Sequence, residues 1–558
     1  MKKIRLVMVG NGMAGVRTLE ELLKVAPDLY DITVFGAEPH PNYNRIMLSP
    51  VLAGEQTLDE IILNPVSWYE ENGIRLHLGK KIVSIDRVKR IVTADDGTTA
   101  EYDRLLLATG SFPFILPVPG KELDGVIAYR DIADTNQMIE ATKTHTHAVV
   151  IGGGVLGLEA ANGLKVRGMD VTVVHIGPWL MERQLDEVAG RMLQTALEER
   201  GLKFLLNAQT DALLDDGSGR VSSVRFKDGS ETPADLVVMA AGIRPNTVLA
   251  EKAGVLCNRG IVVTDTMQTV TDPRVYAVGE CAAHRGVAYG LVAPLYDQAK
   301  VCANHLALYG IGRYVGSQVS TKLKVTGIDL FSAGDFMGGA DTESIMLADP
   351  FSHVYKKLVI KGNKLVGACL YGDTVDGSYY FHLIREGRDI SDIRHALMFG
   401  EPANDDTEAE HLRQALTLAA EDEVCRCAGV TKGTICEAID QHGLLSREEI
   451  SAHTKASTGC GSCAGVVDKL LALATQAHEE LTEEPLCGCT NLSEAGLRHA
   501  IRDKVLHSAS EVRVLLGWRT PCGCATCRPV IQQCLDDIWP TEVHEDPVHK
   551  LQAQTPAH

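Results

Sequence analysis

The pattern of apolar positions in the first part of the chain repeats one unit. An apolar run at residues 4–9 leads into a glycine-rich turn at residues 10–15, and a stretch with helical periodicity follows. The same order returns with an apolar run at 147–151 and a glycine-rich turn at 152–157. Continuous apolar runs are typical of strands buried in a parallel sheet. The pattern therefore predicts two strand–turn–helix units of an α/β fold.

Further apolar runs extend this α/β pattern. Three of them predict strands that each end in a turn, at residues 105–108, 236–241 and 275–278. Residues 358–367 alternate apolar and polar positions around Gly362 and Asn363, which is a hairpin signal. A smaller α+β domain is therefore predicted after the two units.

The pattern changes after residue 400. Residues 401–423 are rich in Asp, Glu and Ala and predict a linker or a peripheral helix. Beyond them, short helical stretches alternate with closely spaced cysteines. One unit repeats after 62 residues, so that Ile435 matches Leu497 and Ile439 matches Ile501. A small helical domain is therefore predicted to occur twice.

Length and charge limit the function classes. The 558 residues suggest three to five domains. A formal net charge of −19 disfavours nucleic-acid binding, which depends on Lys and Arg. No apolar stretch of about 18 residues occurs, so no membrane span is expected. The start, with Lys2 and Lys3 before an apolar run, resembles a signal peptide, but Gly10 and Gly12 interrupt that run and favour a first strand.

The cysteines are unevenly distributed. The chain has 15, and 11 of them lie in residues 425–534. Disulfide frameworks are typical of small secreted domains. In a chain of this size without a signal peptide, clustered cysteines indicate metal or cluster ligands in a reducing compartment. A cytoplasmic location is therefore expected.

Each glycine-rich turn has the spacing that a bound dinucleotide requires. The first glycine allows the tight turn, the second lets the backbone approach a pyrophosphate, and the third lets the helix pack on the strand. The helix N-terminus then presents N–H groups to the phosphates. The candidate residues are Gly10, Gly12 and Gly15 in the first turn and Gly152, Gly154 and Gly157 in the second.

The residue that follows the second strand differs between the two units. In the first unit Glu38 follows this strand, and an acid there accepts hydrogen bonds from an adenosine ribose. In the second unit the strand ends at His175 instead. Arg183 lies nearby in sequence and would suit a 2′-phosphate, but no compact basic cluster surrounds it. The choice between NADH and NADPH stays open.

Together these segments resemble the pyridine-nucleotide-dependent flavoprotein reductases with two dinucleotide-binding folds. The resemblance implies that the first turn binds FAD and the second binds NADH or NADPH. It also implies that further turns close over FAD, with Glu280 in place of the usual Asp at the ribityl chain. Arg45 is expected either to contact FAD or to be an exposed structural residue, and residues 294–299 are expected to begin a helix near the flavin. The implied turn residues are Thr109, Gly110, Gly242, Gly279 and Glu280.

Many of these reductases carry a cysteine pair that takes electrons from the flavin. Residues 1–400 contain no CxxC or CxxxxC pair, and Cys281 is interpreted as a buried residue. Hydride transfer depends on alignment more than on acid–base groups, so no catalytic side chain is assigned. The electrons therefore need another acceptor.

The clustered cysteines offer that acceptor. A CxC pair and a CxxC pair supply four thiolates, which bind either zinc or a [2Fe–2S] cluster, and spacing alone leaves both open. Zinc carries no electrons, and the units resemble bacterioferritin-associated ferredoxin-like domains, so two [2Fe–2S] clusters are expected. The candidate ligands are Cys425, Cys427, Cys460 and Cys463 in one unit and Cys487, Cys489, Cys524 and Cys527 in the other. Cys522 is a rival of Cys524, and Cys436 and Cys534 are interpreted as core residues.

The order of domains resembles the assimilatory nitrite and nitrate reductase family, on residues 43–49, 181–186, 277–281 and 320–324. The CxxxxxC and CxxxC spacings of the sirohaem module in that family do not occur. The resemblance therefore implies an electron-transfer subunit that serves a separate molybdenum-containing nitrate reductase subunit. The alternatives are a component for nitrite reduction or for another partner, a flavin reductase with structural zinc that acts directly on a small acceptor, and a redox or iron sensor.

The expected fold class is an α/β flavoprotein reductase with two dinucleotide-binding domains, an α+β domain and two small helical [2Fe–2S] domains. The expected boundaries are 1–120 with 241–315 for FAD, 121–240 for NAD(P)H, 316–400 for the α+β domain, 401–423 for the linker, 424–480 and 484–538 for the cluster domains, and 539–558 for the tail.

Overall fold

The computed structural model describes residues 3–325, 327–399, 415–425, 429–457, 463–482, 486–504, 506–520 and 523–539. The chain divides into two compact units. The described residues up to 399 belong to the first unit, and those from 415 onward belong to the second.

A five-stranded parallel sheet forms the core of the first dinucleotide-binding fold. Its strands, in spatial order, are Val275–Ala277, Arg104–Leu107, Ile4–Val9, Tyr30–Phe35 and Arg75–His77. Leu6 and Met8 on one face of the middle strand and Val7 on the other are all buried, as a strand covered on both faces requires. After the turn at residues 10–12, helix Met13–Val25 follows this strand, which confirms the predicted strand–turn–helix order.

A second five-stranded parallel sheet repeats this arrangement. Its strands, in spatial order, are Val126–Ala128, Leu236–Met239, His147–Ile151, Asp170–Val174 and Lys203–Leu205. Val149 and Val150 of the middle strand are fully buried, and helix Val155–Val166 follows the glycine-rich turn. The strand predicted at 147–151 is confirmed.

Each parallel sheet is accompanied by a three-stranded antiparallel sheet. The first comprises Ile82–Asp86, Ile91–Ala94 and Thr99–Glu101, and the second comprises Thr210–Asp215, Val221–Phe226 and Glu231–Pro233. The duplicated plan confirms the predicted α/β fold class with two dinucleotide-binding domains.

Shorter elements complete the two folds. The paired strands are Asn42–Tyr43 with Ile62–Asn64, Ser111–Pro113 with Ile243–Pro245, and Ile261–Val263 with Ala282–His284. The remaining helices of the first unit are Leu48–Ala53, Val66–Glu71, Ile132–Ala141, Glu187–Glu199, Val248–Lys252, Val292–Leu306 and Gly377–Glu386. Single 3₁₀ turns lie at Arg45–Met47, Asp59–Ile61 and Leu397–Phe399.

An antiparallel sheet and helix Gly377–Glu386 form the third domain. Its strands, in spatial order, are Ser320–Val325, Ile328–Gly334, Lys364–Tyr371, Val354–Lys361 and Glu343–Asp349. Strands Val354–Lys361 and Lys364–Tyr371 form the hairpin predicted around Gly362. Tyr355 of this sheet donates a hydrogen bond of 2.7 Å to Asp186, which also caps helix Glu187–Glu199. This bond ties the third domain to the second dinucleotide-binding fold.

The second unit contains two helical domains with separate cores. The first has the strand pair Glu423–Cys425 and Val430–Thr431 and helices Lys432–His442, Arg447–Thr454 and Ala464–Thr482. The second has helices Glu494–Asp503, Ala509–Leu515 and Cys527–Ile538. Ser446 and Ser508 each form a capping box at the same repeat offset. The predicted duplication is therefore confirmed in local geometry.

No helix among the described residues is long and apolar enough to cross a bilayer.

Candidate cofactor sites

The three glycines of the first turn have different surroundings. Gly10 has a φ of +105°, and a Cβ there would lie 2.1 Å from the carbonyl oxygen of Ala108. A Cβ at Gly15 would lie 2.8 Å from the Cβ of Ala108. A Cβ at Gly12 would meet nothing within 4 Å. The first and third glycines are therefore required by packing, whereas the second leaves open space in front of the helix.

The second turn reproduces this division. Gly152 has a φ of +133°, and a Cβ there would lie 2.3 Å from the carbonyl oxygen of Ala240. A Cβ at Gly157 would lie 2.0 Å from the carbonyl oxygen of Gly152, whereas a Cβ at Gly154 would meet nothing within 4 Å. Two turns that lie far apart in sequence thus each leave an equivalent open space beside their second glycine.

Helix N-termini complete both openings. Gly12 is the N-cap of helix Met13–Val25 and Gly154 is the N-cap of helix Val155–Val166, and neither helix receives a side-chain cap. The first N–H groups of a helix have no partner within the helix. They suit a pyrophosphate, and a ligand that presents one fits both sites.

Glu38 is held in place at the edge of the first opening. Tyr43 donates a hydrogen bond of 2.6 Å to its carboxylate, and Arg45 forms an ion pair with it. Arg45 also donates to the carbonyl oxygen of Arg130 at 3.1 Å. Burial raises the pKa of Tyr43, so its hydroxyl remains a donor. The structure places Arg45 against Glu38, and its contact with FAD stays a prediction.

Glu280 belongs to a second cluster of polar residues in the same fold. Its carboxylate accepts a hydrogen bond of 2.8 Å from Ser111 and forms an ion pair with Arg130. The neighbouring Gly279 donates its N–H to the side chain of Gln298 at 3.0 Å. Arg130 and Ser111 carried no signal in the sequence, because each meets this turn only through the tertiary fold. Gln298 lies in the segment 294–299 that was expected near the flavin.

The turn at Thr109 and Gly110 is fixed by a distant segment. Thr109 donates its hydroxyl to the carbonyl oxygen of Asn246 at 2.7 Å, and Asn246 donates its N–H to the carbonyl oxygen of Gly110 at 2.9 Å. Gly242 has a φ of +112° and open space within 4 Å of a Cβ position. These predicted turn residues therefore lie together where the chain returns between the two folds.

His175 bridges the second glycine turn to an acid. Its Nδ1 accepts the N–H of Gly153 at 3.2 Å, and its Nε2 lies 2.9 Å from a carboxylate oxygen of Glu182. Because Nδ1 is an acceptor, Nε2 carries the hydrogen and donates it to Glu182. His175 is buried, with 7% of its surface exposed. Glu182 was missed in the sequence because it follows the strand by eight residues.

Four cysteines converge in the second helical domain. The sulfur atoms of Cys487, Cys489, Cys524 and Cys527 all lie within 4.8 Å of one another. Cys489 and Cys527 are buried, and the other two are partly exposed. The set fits a tetrathiolate centre, which is the donor chemistry of zinc and of [2Fe–2S] clusters. Cys522 lies outside the described residues.

In the first helical domain, the structure describes two of the four candidate ligands. Cys425 and Cys463 are both buried in its core, whereas Cys427 and Cys460 lie outside the described residues. Cys534 is fully buried in the second helical domain, and Cys436 is partly buried against the first core.

The pyridine nucleotide-disulphide oxidoreductase family model matches residues 4–305, more than half of the chain. The chain belongs to this family. The rubredoxin NAD⁺ reductase C-terminal domain matches residues 320–388, and the BFD-like [2Fe–2S] binding domain matches twice, at residues 423–472 and 485–537. The protein is therefore an NAD(P)H-dependent flavoprotein oxidoreductase with iron–sulfur domains.

Two relatives of this oxidoreductase come from Bacillus subtilis (strain 168). A nitrite reductase [NAD(P)H] is 48% identical over 98% of this chain and 67% of the relative. An assimilatory nitrate reductase electron transfer subunit is 42% identical over 98% of this chain and 70% of the relative. Among solved structures, a ferredoxin reductase from Rhodopseudomonas palustris has a TM-score of 0.62 and 25% identity, and covers 68% of this chain and 93% of its own. The predicted assignment to the nitrite and nitrate reductase family is confirmed.

The flavoprotein part offers no exposed thiol pair among its described residues. Cys281, Cys302 and Cys369 are all fully buried. Burial raises the pKa of each thiol, for Cys369 to about 12. A neutral buried thiol is a poor nucleophile. The structure agrees with the interpretation of Cys281 as a buried residue.

Proposed function

We propose that this oxidoreductase takes a hydride from NAD(P)H onto FAD and passes single electrons through two [2Fe–2S] centres to a separate nitrate-reducing subunit. The observation that carries the proposal is the convergence of Cys487, Cys489, Cys524 and Cys527 in a chain whose described flavoprotein residues contain no exposed thiol pair. The boundaries stated from the sequence are part of this proposal, and the three matched families support them.

In this proposal the first opening holds FAD. Gly12 and the N-terminus of helix Met13–Val25 receive the pyrophosphate, while Glu38, oriented by Tyr43 and Arg45, receives the adenosine ribose. The turns at Thr109, Gly110, Gly242, Gly279 and Glu280 enclose the rest of the cofactor. When bound, FAD supplies an acceptor for a hydride and a donor of single electrons.

The second opening holds NAD(P)H. Gly154 and the N-terminus of helix Val155–Val166 receive its pyrophosphate, and Gly152 and Gly157 shape the turn. His175 takes the position of the acid that normally follows the second strand. In this proposal its hydrogen bond to Glu182 holds that carboxylate beside the nucleotide ribose. A carboxylate repels a 2′-phosphate, so we propose that NADH is preferred over NADPH.

Glu182→Gln is expected to lower the preference for NADH. The amide still accepts from His175 but carries no charge, so the repulsion of the 2′-phosphate is removed. The ratio of kcat/KM for NADH to that for NADPH should fall about tenfold, equivalent to about 1.4 kcal/mol. Steady-state kinetics with both nucleotides measures this ratio. Glu198→Gln, on the neighbouring helix, is the control and should leave it unchanged. An unchanged ratio in Glu182→Gln would remove Glu182 from nucleotide selection.

The eight paired cysteines hold the two clusters in this proposal. Their positions are Cys425, Cys427, Cys460 and Cys463 in the first domain and Cys487, Cys489, Cys524 and Cys527 in the second. The twofold match to a [2Fe–2S] binding domain supports iron over zinc. Electron export supports it too, since zinc has no redox chemistry. A cytoplasmic location is part of the proposal, because the ligand thiols must stay reduced.

The acceptor is proposed from the relatives. One of them is by name an electron transfer subunit of an assimilatory nitrate reductase, and it aligns with 98% of this chain. We infer that a separate, molybdenum-containing catalytic subunit accepts the electrons and reduces nitrate. Nitrite is the second candidate acceptor, because the relative that is 48% identical is a nitrite reductase.

Cys463→Ser tests the electron relay. This substitution removes a buried ligand, so reduction of cytochrome c and of the nitrate-reducing partner should fall to background. NADH oxidation with a two-electron dye should continue at the rate of the unmodified chain, because the dye takes electrons from the flavin. Cys436→Ser is the control in the same domain. Wild-type cytochrome c reduction by Cys463→Ser would contradict the relay.

A further inference from the structure

In the second helical domain, the Cys527 sulfur receives two N–H groups. The indole Nε1 of Trp518 donates to it at 3.3 Å, and the backbone N–H of Cys524 donates to it at 3.2 Å. Cys527 is fully buried, and Trp518 has only 8% of its surface exposed. The Trp518 contact therefore lies in the protected interior of the domain.

The position of Trp518 is set by the local fold. Helix Ala509–Leu515 ends before Gly517, which has a φ of +71° and turns the chain back. The backbone N–H of Trp518 then donates to the carbonyl oxygen of Arg513 at 2.9 Å, and its ring joins the core of the domain. The indole is thereby aimed at the sulfur by a rigid turn.

The first helical domain places a different group beside the equivalent sulfur. Lys455, with a φ of +67°, ends helix Arg447–Thr454 at the position that corresponds to Gly517, so Ala456 corresponds to Trp518. The sulfur of Cys463 lies 3.3 Å from the hydroxyl of Ser457. A methyl group thus replaces the indole, and a neighbouring hydroxyl contacts the equivalent sulfur. The repeat gives the two sulfurs different surroundings.

Hydrogen bonds to ligand sulfur are one of the means by which a protein sets the potential of a cluster. Reduction adds one electron, taken from the reduced flavin or from dithionite, and makes the cluster more negative. An N–H dipole aimed at the sulfur stabilises the more negative state. We propose that Trp518 is a positioning residue that holds Cys527 and raises the reduction potential of the second centre. This inference rests on the proposed function, namely that Cys487, Cys489, Cys524 and Cys527 hold a [2Fe–2S] cluster.

Trp518→Phe in the full-length holoprotein tests the inference, because phenylalanine keeps an aromatic ring and removes the N–H. In a potentiometric titration followed by EPR, the midpoint potential of one centre should become more negative while the other stays unchanged. Trp539→Phe is the matched control, since Trp539 lies in the same domain and donates to the carbonyl oxygen of Leu506 at 2.9 Å. Ser457→Ala should shift only the other centre.

A second measurement needs no variant. With tryptophan labelled by ¹⁵N at the indole, ENDOR of the reduced wild-type protein should show a ¹⁵N coupling to one centre. Absence of that coupling would overturn the inference, as would an unshifted potential in Trp518→Phe at wild-type iron content. Wild-type protein without iron would instead overturn the proposed function, and the inference with it.

Discussion

Gly12→Ala should yield a protein that retains little FAD, and Gly154→Ala should retain FAD but bind NAD(P)H at least about tenfold more weakly, a loss of about 1.4 kcal/mol. A Cβ at either position meets no protein atom within 4 Å, and both backbones are extended, so neither fold should be strained. The added methyl group enters the space in which a pyrophosphate approaches the backbone. FAD release and nucleotide titration measure the two effects.

The two variants are controls for each other, because they occupy the same position of a duplicated turn. Loss of FAD from Gly154→Ala together with normal FAD in Gly12→Ala would reverse the assignment of the two openings. Normal binding of both ligands by both variants would show that the second glycines do not line the binding sites. Thermal unfolding of both apoproteins should match that of the wild-type apoprotein.

Cys524→Ser should lose about half of the iron of the protein, whereas Cys522→Ser should keep all of it. The sulfur of Cys524 lies within 4.8 Å of the three other thiols of its domain, and a [2Fe–2S] cluster uses four protein ligands. A cluster with a missing thiolate is lost or becomes labile. Iron and sulfide analysis after anaerobic purification gives the result directly.

The comparison of these two variants also decides whether Cys522 or Cys524 is the third ligand, which the spacing of the cysteines left open. Full iron in Cys524→Ser with half the iron in Cys522→Ser would assign the third ligand to Cys522. Equal loss in both variants would indicate that Cys522 supports the domain in another way. The FAD content of both variants should equal that of the wild type, since the flavoprotein fold lies in the other compact unit.

Local sequence patterns were sufficient to predict the strands, turns and helices that form the candidate sites. The apolar runs at 4–9 and 147–151 predicted the central strands, because strands covered on both faces need continuous apolar sequence. The glycines at positions 10 and 152 were recognisable because left-handed backbone beside a carbonyl admits no side chain. The 62-residue repeat was recognisable because both helical domains bury the same positions.

Pairings between side chains were beyond the sequence, whether the partners lie far apart along the chain or only a few residues apart. Glu280 and Arg130 are separated by 150 positions, and only the tertiary fold brings them together. His175 departs from the dinucleotide pattern, and its hydrogen bond to Glu182 became visible only in the structure. Trp518 carried no signal because a hydrogen bond to sulfur depends on the turn that aims the indole. In each case the chemistry arises from geometry that no local pattern encodes.

Anaerobic titration of the purified protein with NADH, with FAD, iron, sulfide and zinc quantified beforehand, tests the central claim most directly. The proposed relay predicts one FAD and about four irons per chain. It also predicts that NADH bleaches the flavin and that the cluster absorbance then falls. Zinc in place of iron, or clusters that stay oxidised after the flavin is reduced, would contradict the account.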